Sequence, residues 1–248
     1  MKSIIFGRNP IVEALRAGRM IEEIFLFRSI EKDSRVSEIL DLCRKSKTRY
    51  TFTERKSLDR MAGTDKHQGV VASVEPITYA SVNDLFLSAS QRKEKPFFVM
   101  LDRIEDPYNL GSIIRNADAA GCHGLIIPRR HASPLTETAV KASSGAIEYV
   151  PVCQVNNLIH TLEELKKQGL WIFGLDSGGQ KIFTGPDYSI PVCLVIGSEG
   201  EGISPVIRKK CDHLVRIPMK GRLSSLNAAV AAGIVMFEVL RQRQTGSA

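Results

Sequence analysis

Three stretches carry residue types whose spacing can do chemistry. The first runs Asp102-Arg103-Ile104-Glu105-Asp106-Pro107-Tyr108-Asn109 and continues through Leu110 and Ile113 to Arg115. A guanidinium holds two phosphate oxygens at once, so Arg115 near a strand end suits phosphate or ribose recognition. Taken alone, it reads more simply as an ordinary exposed arginine. The second is Gly197-Ser198-Glu199-Gly200-Glu201-Gly202. Three glycines let the backbone approach a ligand closely, and Glu199 can orient a cation or accept a proton. The order G-x-x-G-x-G with no helix directly after it is not a dinucleotide fingerprint, and no Gly-Lys-Ser/Thr follows to make a P-loop. A tight structural turn with a merely solvated glutamate stays open. The third is Ile217-Pro218-Met219 through Ser224-Ser225-Leu226-Asn227-Ala228-Ala229. The Asn227 amide, at the first turn of a helix, can serve a ligand or the backbone. The plain alternative is a capped, tightly packed C-terminal helix.

From residue 96 onward, apolar strands alternate with helices. The pattern predicts strands over 97–101, 124–127, 148–152, 171–175, 192–196 and 214–217. Helices are expected over 110–120, 136–143, 158–168, 205–210 and 225–241, with Asn109 capping the first and Ser224 or Ser225 the last. Near-continuous apolar runs separated by helices indicate an α/β domain with a parallel sheet covered on both faces. Ligands on such sheets bind at the carboxyl ends of strands. That gathers 102–109, 175–179, 197–202 and 217–227 around one crevice.

Residues 1–75 read as a separate small α/β sandwich. Asn9-Pro10 resembles a cap followed by proline at the first helical position, and Gly18 can end that helix. Strands are expected over 23–27, 49–53 and 70–74, with Ser34 capping a helix between the first two. Pro76 and Pro96 bracket a polar, charged stretch that reads as a linker over 76–95 with a short docked helix. Residues 96–248 make the larger domain.

The formal charge of +7 suits a polyanionic partner such as RNA, DNA or an anionic membrane, with a merely basic protein as the alternative. No apolar run is long enough to span a bilayer, and the amino terminus lacks a signal-peptide core. The five cysteines form no C-x-x-C pair, and Cys211-Asp212-His213 alone is a weak metal signal. The expectation is a reduced, cytoplasmic protein without a metal.

The three stretches together are far more specific than any one of them. With NLGSIIRNADAAG, LVIGSEGEGIS and IPMKGRLSSLNAAVAAGIVMFE in this order, the chain from Phe98 onward closely resembles the SpoU (TrmH-like) RNA ribose 2′-O-methyltransferases of the SPOUT superfamily. Residues 4–75, from IIFGRNPIVEALRAG to HQGVVASV, resemble the substrate-binding domain of many bacterial members. The resemblance implies a SPOUT domain whose C-terminal segment forms a deep trefoil knot, a rare exception to unknotted topology. It also implies an L30e/L7Ae-like amino-terminal domain, S-adenosylmethionine as cofactor, and an active site at a homodimer interface. By motif position, Asn109, Arg115, Glu199, Ser225 and Asn227 would form the reaction centre. Gly197, Ile217 and Leu226 would contact the cofactor, with Gly174 and Leu175 adding contacts. Arg8, Asn9, Lys66, His67 and Gln68 are candidates for RNA contact. The amino-terminal domain favours the subgroup that methylates a guanosine of 23S rRNA. A tRNA target, an antibiotic-resistance rRNA methylase and a non-catalytic RNA-binding or ribosome-assembly protein are the alternatives.

Overall fold

The computed structural model describes residues 3–30, 33–222 and 225–245. They form two compact units, one of residues 1–78 with 135–149, the other of residues 79–134 with 150–248.

The first unit contains β1 (Ser3–Phe6), α1 (Arg8–Arg16), β2 (Ile21–Phe27), α2 (Ser34–Ser46), β3 (Arg49–Thr53), α3 (Arg55–Ala62) and β4 (Val70–Val74). Its four-stranded sheet has the order β1-β4-β2-β3. The pair β2–β3 is parallel and β4 runs antiparallel to both β1 and β2. Ile11, Ile24, Leu26, Val36, Ile39 and Leu58 are fully buried and make its core. Strand β1 is too short to show a period and was not expected. The caps also differ from expectation. Gly7, at φ 97°, precedes α1 and places Asn9 inside the helix. The Asp33 side chain, not Ser34, accepts from Arg35 N and Val36 N at the start of α2.

In the second unit come α4 (Val82–Arg92), β5 (Phe97–Asp102), α5 (Pro107–Ala119) and β6 (Gly124–Pro128). The chain then returns to the first unit for α6 (Glu137–Ala142) and a 3-10 turn, Ala146–Glu148. It resumes with β7 (Val152–Val155), α7 (Leu158–Lys167), β8 (Trp171–Leu175), β9 (Lys181–Ile182), β10 (Val192–Gly197), α8 (Pro205–Arg208), β11 (His213–Arg216) and α9 (Ala228–Thr245). All seven strands are parallel, in the order β7-β6-β5-β10-β8-β11-β9. Every residue of β5 and β10 is buried, as central strands covered on both faces require. Each large apolar side chain there contributes about 1.5–3 kcal/mol by leaving water.

The docked helix expected in the 76–95 stretch is α4, whose Phe86 packs edge-on against Phe98 with ring centroids 5.0 Å apart. One segment departs from the expected layout. Residues 135–149 were read as part of the larger domain, with a strand at 148–152. They belong instead to the first unit. Glu148 makes a buried ion pair with Arg19 at 2.7 Å, and Tyr149 Oη donates to Glu13 at 2.7 Å. Gly145 packs so tightly on Glu13 that a Cβ there would lie 2.5 Å from the Glu13 Cβ. Interactions between residues distant in sequence decided this fold, and local periodicity does not record them.

Helix α9 is apolar round most of its circumference and packs on α5 through small residues, Ala228, Ala229 and Ala232 being buried. Asn116 Nδ2 donates to Ala229 O at 2.9 Å, and Gly233 leaves just enough room for the same amide. At the far end, Arg243 donates to the carbonyls of Lys95, Pro96, Tyr188 and Ile190. These bonds fix where α9 begins, and so where the residues before it stand.

Candidate active site

At the carboxyl ends of β8, β10 and β11 lies a cavity of about 190 Å³. Leu175, Asp176 and Ser177 enter it from β8, and Ile196 through Gly202 from β10. Ile217, Met219, Ser225, Leu226, Ala228 and Ala231 close it. The loop after β10 folds back on itself, with Gly202 N donating to Ser198 O at 2.9 Å. Gly200 and Gly202 hold φ of 88° and 67°, where side-chain-bearing residues are strained. Gly197 has no alternative for a different reason. A Cβ there would sit 2.0 Å from the Gly202 carbonyl carbon.

The loop is latched from β5. Asp102 is buried, and its carboxylate accepts from Ser204 N at 2.7 Å. Arg103, at φ 61°, pairs with Glu201 and donates to Gly202 O at 3.2 Å. Sequence reading passed over Arg103, although a charged residue directly after a buried strand was a usable signal.

Asn227 is the pivot of the site. Its Oδ1 accepts from Ala229 N at 3.0 Å and Val230 N at 3.2 Å, capping α9. That fixes the amide orientation, so Nδ2 points to Asn109 Oδ1 at 2.8 Å and Glu199 Oε2 at 3.4 Å. The cap of α9 is Asn227 and not the expected Ser225, which lines the cavity; Ser224 lies outside the described residues. Asn109 is likewise not the cap of α5. Asp106 accepts from Tyr108 N and Asn109 N, with Pro107 at the first helical position. Asn109 is thereby left free to meet Asn227.

Of the other expected residues, Gly197, Leu175, Ile217, Leu226, Glu199 and Ser225 line the cavity. Gly174 does not. It lies mid-strand in β8, where a Cβ would strike Cys211, Ile203 and Leu214. Arg115 is exposed on α5 and is absent from the cavity wall of its own chain. In the first unit, Arg8, Asn9, His67 and Gln68 line a separate hollow of about 530 Å³ with Arg35 and Arg55. Lys66 is exposed nearby in sequence, but His67 is buried. The His67 ring accepts from Gly69 N and meets Asp59 at 2.9 Å, which makes it a turn anchor rather than a free donor.

The cavity has three carboxylates, Asp176, Glu199 and Glu201, on walls of backbone and aliphatic carbon. Such a hollow accepts a cationic ligand with an apolar body and can use backbone groups to orient it. No cysteine offers a nucleophile. All five are free thiols, and burial pushes Cys43 and Cys153 up to about 11 and Cys122 and Cys211 up to about 12. Among the described residues no cluster of three His, Cys, Asp or Glu is placed to hold a metal, and no helix is long and apolar enough to cross a membrane.

The sequence model of the SpoU rRNA Methylase family matches residues 96–237. That for RNA 2′-O ribose methyltransferase substrate binding matches residues 4–80. The chain is 44% identical to YacO of Bacillus subtilis (strain 168), a protein named for the TrmH family of tRNA/rRNA methyltransferases, over 96% of this chain and 95% of the relative. It superposes on the SpoU methyltransferase AviRb from Streptomyces viridochromogenes, solved in complex with AdoMet, with a TM-score of 0.82. That match has 30% identity and covers 99% of this chain and 92% of AviRb. The AdoMet-bound rRNA methyltransferase from Sinorhizobium meliloti aligns with a TM-score of 0.77 at 28% identity, covering 97% and 87% of the two chains.

Proposed function

The chain belongs to the SpoU rRNA Methylase family, whose members are RNA methyltransferases, and from that premise we propose that it methylates a ribose 2′-hydroxyl, in a guanosine of 23S rRNA. The family is S-adenosylmethionine-dependent. The cavity suits that cofactor, because a sulphonium cation meets carboxylates there and Gly197 and Gly202 allow the backbone to come close. Leu175, Gly197, Ile217 and Leu226 would hold it, largely through backbone groups and aliphatic packing. When bound, it supplies an electrophilic methyl group.

The observation that carries the reading is the Asn109–Asn227–Glu199 cluster at the mouth of this cavity. Methyl transfer asks little covalent help of a protein, so alignment and activation of the hydroxyl dominate. With Asn227 Nδ2 committed to both neighbours, Asn109 keeps its own amide N–H groups and Glu199 keeps an oxygen for a further partner. We assign that partner to the Arg115 guanidinium. Arginine stays protonated, so it acts here by clamping the adjacent phosphate and stabilising the developing alkoxide. The hydroxyl proton leaves through phosphate or water.

Arg115 does not line the cavity of its own chain, which supports a homodimer in which a second copy supplies it. Val230 and Phe237, two turns apart on one face of the apolar α9, are exposed, as is Tyr108 on α5. Covering that face would suit a symmetric interface. The deep trefoil knot over residues 194–240 and an L30e/L7Ae-like fold for the amino-terminal unit complete the reading. Alternation of short strands and helices around the four-stranded sheet supports the latter.

The test is transfer of tritiated methyl groups to total RNA from a strain lacking the gene, followed by mapping of the modified nucleotide. Label in a guanosine 2′-oxygen of 23S rRNA is expected. Label confined to tRNA would correct the substrate, and no label in any RNA would overturn the reading.

A further inference from the structure

We propose that a second cleft on the carboxyl edge of the seven-stranded sheet is a subsite for the phosphodiester backbone of the RNA strand that carries the reacting ribose. This rests on the RNA methyltransferase reading above and adds a place where the strand is held.

The cleft, of about 320 Å³, opens at the ends of β5, β6 and β7. Arg103, Pro128, Arg130, His131, Asn156 and Asn157 contribute to its walls. Strand β5 is the direct neighbour of β10, whose loop bounds the cofactor cavity, so the two hollows lie side by side on one edge. Arg103 stands between them. It faces the cleft, while its guanidinium holds Glu201 and the Gly202 carbonyl, both in the wall of the first cavity. A polymer crossing the Arg103 ridge therefore touches both hollows.

Their charged groups are opposite in sign. The first cavity carries carboxylates. The second combines apolar Leu158, Ile159 and Ile207 with the guanidinium of Arg130, the imidazole of His131 and the amides of Asn156 and Asn157, while the Arg103 guanidinium is turned to Glu201 and Gly202. Asn157 spends its Oδ1 on Ile159 N and His160 N, which leaves its amide nitrogen as a donor. The acid in the wall is already occupied, because Asp102 is buried and bonded to Ser204 N. Glu105, at 3.7 Å from His131 Nδ1, is a carboxylate at the rim. Convergent donors of this kind match phosphate oxygens, and guanidinium forks match them best. Both Arg103 and His131 hold left-handed backbone, at φ 61° and 56°. Non-glycine residues keep that conformation only when their surroundings enforce it. Phosphate-directed bonds position a nucleic acid without reading its sequence, and a ribose bound for in-line attack needs its flanking backbone fixed.

The test uses the full chain and a short fluorescein-labelled oligouridylate as probe. Arg130→Glu places a like charge in the cleft at an exposed position, and Arg130→Lys keeps the charge. His131→Asn removes the imidazole while tolerating the left-handed backbone. Binding by Arg130→Glu should weaken by about tenfold. Its salt dependence should also become shallower, by about 0.7 in the logarithmic slope for each phosphate of the single strand that is no longer neutralised. Arg130→Lys should recover most of the affinity, and His131→Asn should bind more weakly than wild type. Binding of tritiated S-adenosylmethionine should stay at the wild-type level in all three, which also reports that they fold. Unchanged oligouridylate affinity and salt slope in Arg130→Glu, in a protein that methylates RNA, would overturn the subsite and leave the activity standing. Weakened oligouridylate binding beside a wild-type protein that labels no RNA would overturn the activity and leave the subsite standing.

Discussion

Asn227 Nδ2 lies 2.8 Å from Asn109 Oδ1, although 118 residues separate the two in the chain. The same Asn227 caps α9 through its carbonyl oxygen. One side chain thus joins the packing of the last helix to the geometry of the proposed reaction centre, and two substitutions separate these roles. Asn227→Asp keeps a good cap but places a carboxylate against Asn109 Oδ1 and Glu199. Stability to urea should hold within about 0.5 kcal/mol, while turnover falls on the order of a hundredfold. Asn227→Ala should lose turnover and, in addition, about 1 kcal/mol of stability from the missing cap. Equal activity of Asn227→Asp and wild type in the methyl-transfer assay would remove Asn227 from the centre.

How far the sequence reaches is visible at this same pair. The parallel sheet and the glycine loop were legible because buried strands leave apolar runs and close approaches leave glycines. Strands expected at 97–101, 171–175 and 192–196 agree with β5, β8 and β10 to within a residue. Caps were less legible. Asp106 and Asn109 are both competent to cap α5, and Asp33 and Ser34 to cap α2. The choice depends on where tertiary packing lets helical backbone begin. Pro107 was a signal that favoured Asp106, since proline is preorganised for the first helical position. Nothing local could bring Asn109 to Asn227 or send residues 135–149 to the first unit. Those are long-range interactions, and neither periodicity nor composition encodes them.

Gly197→Ala tests the proposed cofactor cradle. The added methyl would fall on the backbone of Gly202 and Ile203, which cannot yield as a flexible side chain would. Overpacking of this kind costs about 1–3 kcal/mol, and where that falls on the cavity wall S-adenosylmethionine affinity should drop by about fivefold to a hundredfold by equilibrium dialysis. Gly221→Ala, where nothing lies within 4 Å, is the control and should bind as wild type.

His123 should make stability sensitive to mild acid. It is buried at the start of the sheet, where its Nδ1 accepts from Phe97 N at 3.1 Å and its Nε2 meets Glu94 at 3.0 Å. Burial holds the imidazole below its ordinary value, helped by Arg92 and opposed by Glu94. A histidine depressed in the fold is protonated first in the unfolded chain. Its contribution is therefore intact above about pH 6.5 and is lost as pH falls from there through the folded value. The free energy of unfolding from urea titrations should decline below about pH 6.5 with a slope of up to about 1.4 kcal/mol per pH unit from this group. His123→Gln retains an acceptor for Phe97 N and should flatten that limb relative to wild type. Parallel curves for the two proteins would exclude His123 as the source.

Arg115 decides whether one chain can complete the site. It does not line its own cavity, so the homodimer reading places it in the site of the other copy. Arg115→Ala and Glu199→Gln should each lose turnover, and Arg115→Ala should still bind S-adenosylmethionine normally. In the proposed homodimer, the two inactive chains coexpressed with separate tags would form mixed dimers. If Arg115 acts across the interface, a mixed dimer pairs intact Glu199 of one chain with intact Arg115 of the other and has one whole site. Random pairing then returns about one quarter of wild-type activity, because half the dimers are mixed and each has one of two sites working. If Arg115 acts within its own chain, every site in the mixed dimer lacks one of the two residues and no activity returns. Purified mixed dimers assayed for tritiated methyl transfer separate the two outcomes without any knowledge of the RNA position modified.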